Sequence, residues 1–476
     1  MNILISKKQE IEKILKLNPP YFSGYKKDKL LYILSKLYYD SLCKEEYGVG
    51  EKEEISLCAS FLEKIIGKSY KSHLEYLLDK KIITIVSGYI PGEHCRGYKL
   101  NDNYFGEPEW YTIKDFTLSK KLKKLQKHKK KDNQYPYLQK WFSKLSFDIE
   151  QATVTTNLSY ELKKACPEYQ EIVFGTNRLK NPDRQYYHSK LVIELFKNGE
   201  FPFYVDAKGN RAHTLLTRSN KNIRHFITCN GEPLVSVDLK NSQPYLLLCL
   251  ANSLFFQKNR KKRENNNLTQ SVINHNILIS DLSPNSISSI MLGLSSEIQY
   301  SIEFQEYKKL VASGGIYEFF EDKLSYTPKL LKQGFSKRDL VKYRMMLCLY
   351  SKNGGHSCGM KSAFKTHFPK LYTLICKLKN EKHNTLALLL QRIESYLILD
   401  VICKRISDEK PNLPIFTIHD CIVTTVGNEN YVSNIIKEEM EKVVGIAPMV
   451  SLEYWEPKNV WNKFEKINLE LSKNAA

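Results

Sequence analysis

Two aspartates 182 positions apart each close a short apolar strand, and any fold for this chain must account for both. In EPLVSVDLKNSQPYLLLCLANSL the β-branched run Leu234 to Val237 leads directly into Asp238, and an apolar helical run follows. In NLPIFTIHDCIVTTV apolar residues lead into His419 and Asp420, and a strand-like stretch, Cys421 to Val426, leaves them. The order strand, His-Asp, strand predicts a hairpin whose tip presents both side chains. A carboxylate at the end of a buried strand is costly to desolvate unless a cation or hydrogen bonds compensate it. Metal binding is one solution, and a turn or capping role is the other for either aspartate taken alone. If the fold joins the two strands, the pair suits phosphoryl or nucleotidyl transfer with two divalent ions about 3.5 to 4 Å apart. Oxygen ligands and phosphates make Mg2+ the natural ion, with Mn2+ as the alternative.

A third segment, SKRDLVKYRMMLCLYSKNGG, carries Arg338, Lys342, Met346 and Tyr350 at intervals of four, free of Pro and Gly. On a helix these positions form one slowly rotating stripe. The stripe offers two cations at one end for a triphosphate and an aromatic at the other for a base. The Gly354-Gly355 pair is expected to stop the helix. The bland alternative is a surface Arg/Lys helix with a core tyrosine.

Charge agrees with a polyanionic partner. The 476 residues contain 72 Lys+Arg against 52 Asp+Glu, a formal charge of +20, which favours nucleic acid through neutralised phosphates and released counterions. No apolar run approaches the roughly 20 residues that span a bilayer, and MNILISKKQE places lysines after its apolar stretch, the reverse of a secretory signal. A cytoplasmic protein is expected. Eleven cysteines, odd in number and without a CxxC pair, fit reduced thiols, most of them in the core.

The chain begins with a unit read over 1–104. KDKLLYILSKLYYDSLCK and ISLCASFLEKII have helical apolar spacing, Gly67 is a C-cap candidate, and SYKSHLEYLLDKK is a second amphipathic helix. The alternating IITIVSGYI and the return strand CRGYKL complete a winged-helix-like pattern. Such a module would turn Lys68, Lys71 and His73 toward a DNA groove, or serve instead as a protein-docking module. The lysine-rich Ser119 to Gln134 reads as a linker or exposed helix within a basic linker, 105–134. A thumb-like helical region is expected over 135–200, and palm and fingers over 201–476. The tract Lys258 to Asn267 reads as an exposed loop.

In this order, the two aspartate segments and the helix between them resemble the family A DNA polymerases and the related single-subunit phage-type RNA polymerases. Asp238 matches the metal-binding Asp of the family's first motif, and His419-Asp420 matches the His-Asp pair of its third. Arg338, Lys342 and Tyr350 match the Arg-x3-Lys-x7-Tyr fingers helix, whose cations hold the incoming triphosphate. The resemblance implies that Arg211 and Arg224 lie along the primer-template path and that Gln391, in LALLLQRIESYLILDVI, reaches the duplex minor groove. It implies an α+β right-hand fold with an antiparallel-sheet palm, two Mg2+ ions, and primer-template DNA and nucleoside triphosphates as partners. It covers roughly residues 200 to 457. The first motif reads DLKNSQP without the family's Glu, and Gln243 stands where that Glu would occlude a ribose 2′-hydroxyl. The third motif reads His-Asp-Cys, and Met346 replaces an aromatic. A DNA polymerase without proofreading is the first expectation; an RNA-synthesising or primase-like enzyme and a non-catalytic DNA-binding protein with a degenerate palm are the alternatives.

Overall fold

The computed structural model describes residues 1–7, 11–46, 54–92, 94–131, 134–171, 179–251, 290, 294, 297–326, 336–355 and 359–475. The tract Lys258 to Asn267 lies outside the described residues. The chain forms two compact units, the first from Met1–Gln134, Phe147–Phe201 and Arg218–Phe226, the second from Tyr135–Ser146, Pro202–Thr217 and Ile227–Ala476.

In the first unit the helix Lys27–Glu46 buries Leu30, Leu31, Ile33, Leu34 and Leu37, the periodic apolar set of its sequence. Helices Ala59–Ile66 and Tyr70–Asp79 are joined through Gly67, whose φ of +87° ends the first of them at no steric cost. Strands Ile83–Ser87 and Gly97–Leu100 form the expected antiparallel hairpin, with a register shift between Ile85 and Ser87. Lys68 and Lys71 are exposed. His73 is not: it is fully buried against the rings of Phe22 and Tyr25, with Nδ1 2.7 Å from the Ser69 carbonyl, so it faces the core rather than a groove. An imidazole on an amphipathic helix can serve either face, and here aromatic packing claims it.

The unit runs past residue 104. Strand Pro108–Thr112 pairs antiparallel with Asn2–Ser6, and the lysine-rich stretch is a helix, Phe116–Lys131, rather than a linker. Its Leu118 and Leu122, one turn apart, are buried and anchor it. Helices Ile149–Ala165 and Pro182–Lys197 pack on each other, and the second also packs on Lys27–Glu46 and Pro108–Thr112. This groups most of the expected thumb-like stretch with the N-terminal residues. No helix among the described residues is long and apolar enough to cross a membrane. The ten described cysteines are free thiols, five of them buried.

The second unit is built on a six-stranded sheet. Its order is Ile415–Ile418, Cys421–Thr425, Glu232–Leu239, Ile227–Cys229 and Leu145–Phe147, with Val450–Tyr454 also on Glu232–Leu239. The Asp238 strand is thus central and antiparallel to its neighbours on either side. Trp455 Nε1 donates to Ser236 Oγ at 2.7 Å, which satisfies a buried indole N–H. The following helix, Ser242–Ala251, is buried along Gln243 to Ala251, as its unbroken apolar sequence requires. Each of its leucines contributes about 1.5–3 kcal/mol of burial. It packs against helices Ile302–Ala312, Thr385–Ser395 and Glu429–Val444, which fixes the strand end that carries Asp238. Helix Thr385–Ser395 continues through a π-helical stretch, Tyr396–Cys403, into Lys404–Glu409. Such wide turns are rare and accumulate at functional sites.

Candidate active site

Ile415–Ile418 and Cys421–Thr425 form the expected hairpin, with Ile418 paired to Cys421 and His419-Asp420 alone at its tip. His419 adopts a φ of +56°, in the left-handed region that non-glycine residues enter at a cost. On the neighbouring strand Asp238 pairs directly with Cys421, so Asp238 and Asp420 come to the same end of the sheet despite their distance in sequence. Just beyond that strand, Asn241 also has a φ of +54° and a buried side chain. Backbone strain therefore gathers at the edge that holds both aspartates. Both are half-buried, so water and phosphate oxygens have access to complete the coordination of a hard cation, and the oxygen donor set fits Mg2+ or Mn2+. Among the described residues no three His, Cys, Asp or Glu side chains gather into a metal-holding cluster.

The Lys337–Tyr350 helix begins at Ser336, whose hydroxyl accepts from the Asp339 N–H at 3.1 Å. Its buried face is Leu340, Val341, Arg344, Met345, Cys348 and Leu349; Arg338, Lys342, Met346 and Tyr350 lie on the less buried stripe. The helix stops at Tyr350, before the glycine pair expected to end it. Past that end Lys379, a buried ammonium, donates to the carbonyls of Cys348 at 2.7 Å and Ser351 at 3.2 Å and so satisfies them. Arg338 donates through Nε to Glu318 at 2.5 Å and lies 5.3 Å from the Tyr317 ring centre. Lys342 is exposed.

At the other end of the stripe the Tyr350 hydroxyl donates to Gln243 Oε1 at 2.6 Å. Gln243 Nε2 donates to Glu394 Oε2, and Glu394 Oε1 lies 2.7 Å from a guanidinium nitrogen of Arg211. That last contact is close in distance but poorly directed for a hydrogen bond, so the guanidinium acts on Glu394 chiefly through its charge. One chain of contacts thus runs Arg211, Glu394, Gln243, Tyr350. Burial pushes the Glu394 carboxyl up to about 8; Arg211 opposes this, the negative field of Asp420 adds to it, and the Gln243 hydrogen bond opposes it further. Burial, reinforced by the Glu394 charge, also raises the Tyr350 hydroxyl, which stays a donor.

The unfolded chain releases the Glu394 proton near the ordinary value of 4.5, whereas the native state keeps it to about 8, so between these values the native state holds the extra proton. Stability is then greatest at the acid side of that window and falls as pH rises through it. Glu394→Gln, which cannot ionise, is expected to flatten the fall in melting temperature between about pH 5 and 9. A slope identical to wild type would show that Glu394 does not titrate there.

Arg211 and Gln391, expected on the nucleic-acid path, are both engaged within the protein. Gln391 packs over Gly209, where an added Cβ would come within 2.8 Å of its Oε1. From the same helix Arg392 Nε donates to the Lys208 carbonyl at 2.6 Å and the Ser395 hydroxyl to the Gly209 carbonyl at 3.1 Å. Asp206 organises that loop from within. Burial opposes its ionisation, but the His213 ring and the N–H groups of Gly209, Arg211 and Lys208 outweigh this and hold its carboxyl well below the usual range. The His213 ring meets His419 edge-on at 5.9 Å. Arg224 belongs to the first unit, at the end of the short helix Lys221–Arg224. Asp206, His213 and Glu394 were missed by the sequence reading. A signal exists only for Asp206, whose Asp-Ala-Lys-Gly-Asn sequence has turn chemistry.

No protein-family model matches this chain, and no curated protein matches it in sequence. Among solved structures it is similar to the POL domain of Pol1 from M. smegmatis, in complex with DNA primer-template and dNTP, at 11% identity over 72% of this chain and 73% of that one, with a TM-score of 0.31.

Proposed function

We propose that the chain is a template-directed nucleotidyltransferase that extends a primer on DNA, with deoxynucleoside triphosphates as substrates and without proofreading. The observation that carries this reading is the convergence of Asp238 and Asp420 at one sheet edge, in a unit whose Arg338, Lys342, Met346 and Tyr350 share one helix stripe. Asp238 and Asp420 would hold two Mg2+ ions, with Mn2+ as substitute. When bound, the ions supply the charge that activates a 3′-hydroxyl and steadies the pyrophosphate.

The chain's own residues do the positioning. Arg338 exchanges Glu318 for the triphosphate, and exposed Lys342 adds a second cation. His419, strained at the hairpin tip, orients the neighbouring Asp420. Tyr350 and Gln243, hydrogen-bonded to each other, form the wall on the sugar side, beside Met346. Arg211 and Gln391 brace the loop beside the site, and their contact with a template would be made from these fixed positions. In the first unit Lys68 and Lys71, with Arg224, would contribute phosphate contacts that set affinity and register.

The test is incorporation on a primed DNA template with Mg2+, with dNTPs and rNTPs side by side and with and without primer. Primer-dependent extension with dNTPs is expected. No extension with any nucleotide, alongside retained DNA binding, would return the chain to a non-catalytic DNA-binding role. Preference for rNTPs, or synthesis without primer, would make it an RNA-synthesising or primase-like enzyme. Gln243 has nearly the volume of the Glu it replaces, so Gln243→Ala is expected to raise ribonucleotide use relative to deoxynucleotide use by about tenfold or more. An unchanged ratio would remove Gln243 from the sugar wall.

A further inference from the structure

We infer that Glu394 is a positioning residue that locks Gln243 and Arg211 into one unit and so sets how strictly the site distinguishes deoxyribose from ribose. The inference rests on the polymerase reading above and adds a residue that the sequence motifs do not contain.

A glutamine can fill space in many rotamers and either amide orientation, and fixing such a side chain costs rotamer freedom. Here both ends of the Gln243 amide are tied. Its oxygen accepts from the Tyr350 hydroxyl at 2.6 Å, and its nitrogen donates to Glu394. The tyrosine can meet either end of the amide, since a hydroxyl both donates and accepts. The amide nitrogen faces Glu394 Oε2 and the amide oxygen faces the Tyr350 hydroxyl, so without the Glu394 end only the tyrosine is left, which does not distinguish the two orientations.

Glu394 is itself held. Its side chain is 2% exposed, and its other oxygen faces Arg211 at 2.7 Å. Arg211 is anchored in turn through its backbone N–H to Asp206 at 3.0 Å, in a loop that Arg392 and Ser395 grip from the helix that bears Glu394. A buried carboxyl with a cation is a poor way to gain stability, since apolar residues of the same volume commonly do as well or better. What it supplies here is direction. The Tyr350 end of the triphosphate stripe and the loop of Arg211 are registered to each other through this one side chain.

The experiment measures the ratio of single-turnover efficiencies for a matched dNTP and rNTP on a primed template. It compares wild type, Glu394→Met, Glu394→Gln, Gln243→Ala and the double variant Glu394→Met/Gln243→Ala. Glu394→Met is expected to lower the ratio by about five- to tenfold, the scale of one ordinary hydrogen bond, and Glu394→Gln, whose amide oxygen can still accept from Gln243, by less. Adding Glu394→Met to Gln243→Ala should leave the ratio where Gln243→Ala alone puts it, because no amide remains to be aimed. If Glu394→Met does not fold, Glu394→Leu, which likewise removes the acceptor for Gln243, carries the same test. A folded variant in which both sugars lose efficiency by one common factor would overturn the inference, since a merely structural role predicts that. Independent, multiplicative effects of Glu394→Met and Gln243→Ala would overturn it too. If wild type extends no primer, the polymerase reading fails and takes this inference with it; if wild type extends and discriminates while the variants discriminate equally, only the role of Glu394 fails.

Discussion

Asp238→Asn and Asp420→Asn are each expected to abolish primer extension while leaving duplex binding nearly unchanged. The aspartates supply full negative charge at the edge where the Asp238 strand pairs with Cys421 beside the hairpin tip. An amide keeps the shape and loses the charge, so a divalent ion there is held weakly or displaced. The several kcal/mol of transition-state stabilisation that metal ions provide corresponds to a loss of about a thousandfold or more in rate. Affinity for DNA arises from lysines and arginines on phosphates, which neither substitution touches. Both aspartates are half-buried rather than core residues, so the variants should melt close to wild type. The measurement is single-turnover incorporation with Mg2+, paired with binding of a labelled duplex. Substantial activity in either variant would sink the assignment of the pair.

The parts legible in the sequence were those with a local physical signature. A carboxylate closing an apolar strand is costly enough to stand out, and a period of four along a helix marks a stripe; Asp238, Asp420 and the Arg338 to Tyr350 set were visible for those reasons. Glu394 was not. In QRIESYLILD it reads as one more polar residue of an amphipathic helix, and its burial depends on Gln243, 151 positions away, and on a loop near residue 210. Long-range pairing of this kind leaves no periodic trace. The carbonyls at the end of the Lys337–Tyr350 helix are likewise satisfied from a distance, by Lys379, which local turn residues such as Gly354-Gly355 do not reveal. The lysine-rich stretch, open in sequence to a linker or an exposed helix, is a helix, and its charge-dominated composition masks the buried Leu118 and Leu122 that help anchor it. His73 faces the core because the rings of Phe22 and Tyr25 claim it, and periodicity, which places a side chain on a helix, does not say whether aromatic rings wait for it there.

Lys342→Ala and Arg338→Ala are both expected to impair use of the nucleotide, and the structure orders them. A charge-assisted hydrogen bond to a triphosphate oxygen is worth about 1.5–3 kcal/mol, or roughly ten- to more than a hundredfold in efficiency. Exposed Lys342 should show that loss in full. Arg338 must first release Glu318, a surface pair with side chains 40% and 49% exposed, and pairs of that kind contribute up to about 1 kcal/mol. Its net contribution is smaller by that amount, so Arg338→Ala should cost less than Lys342→Ala. The same reasoning gives a gain: Glu318→Gln removes the competitor for Arg338 and should improve apparent nucleotide affinity by up to about fivefold, the kinetic equivalent of that pair. Single-turnover incorporation over a range of nucleotide concentrations separates affinity from rate in all three variants. Should Lys342→Ala and Arg338→Ala both match wild type, the Lys337–Tyr350 helix does not hold the triphosphate. If instead Glu318→Gln weakens nucleotide use, Glu318 acts with Arg338 in holding the substrate rather than against it.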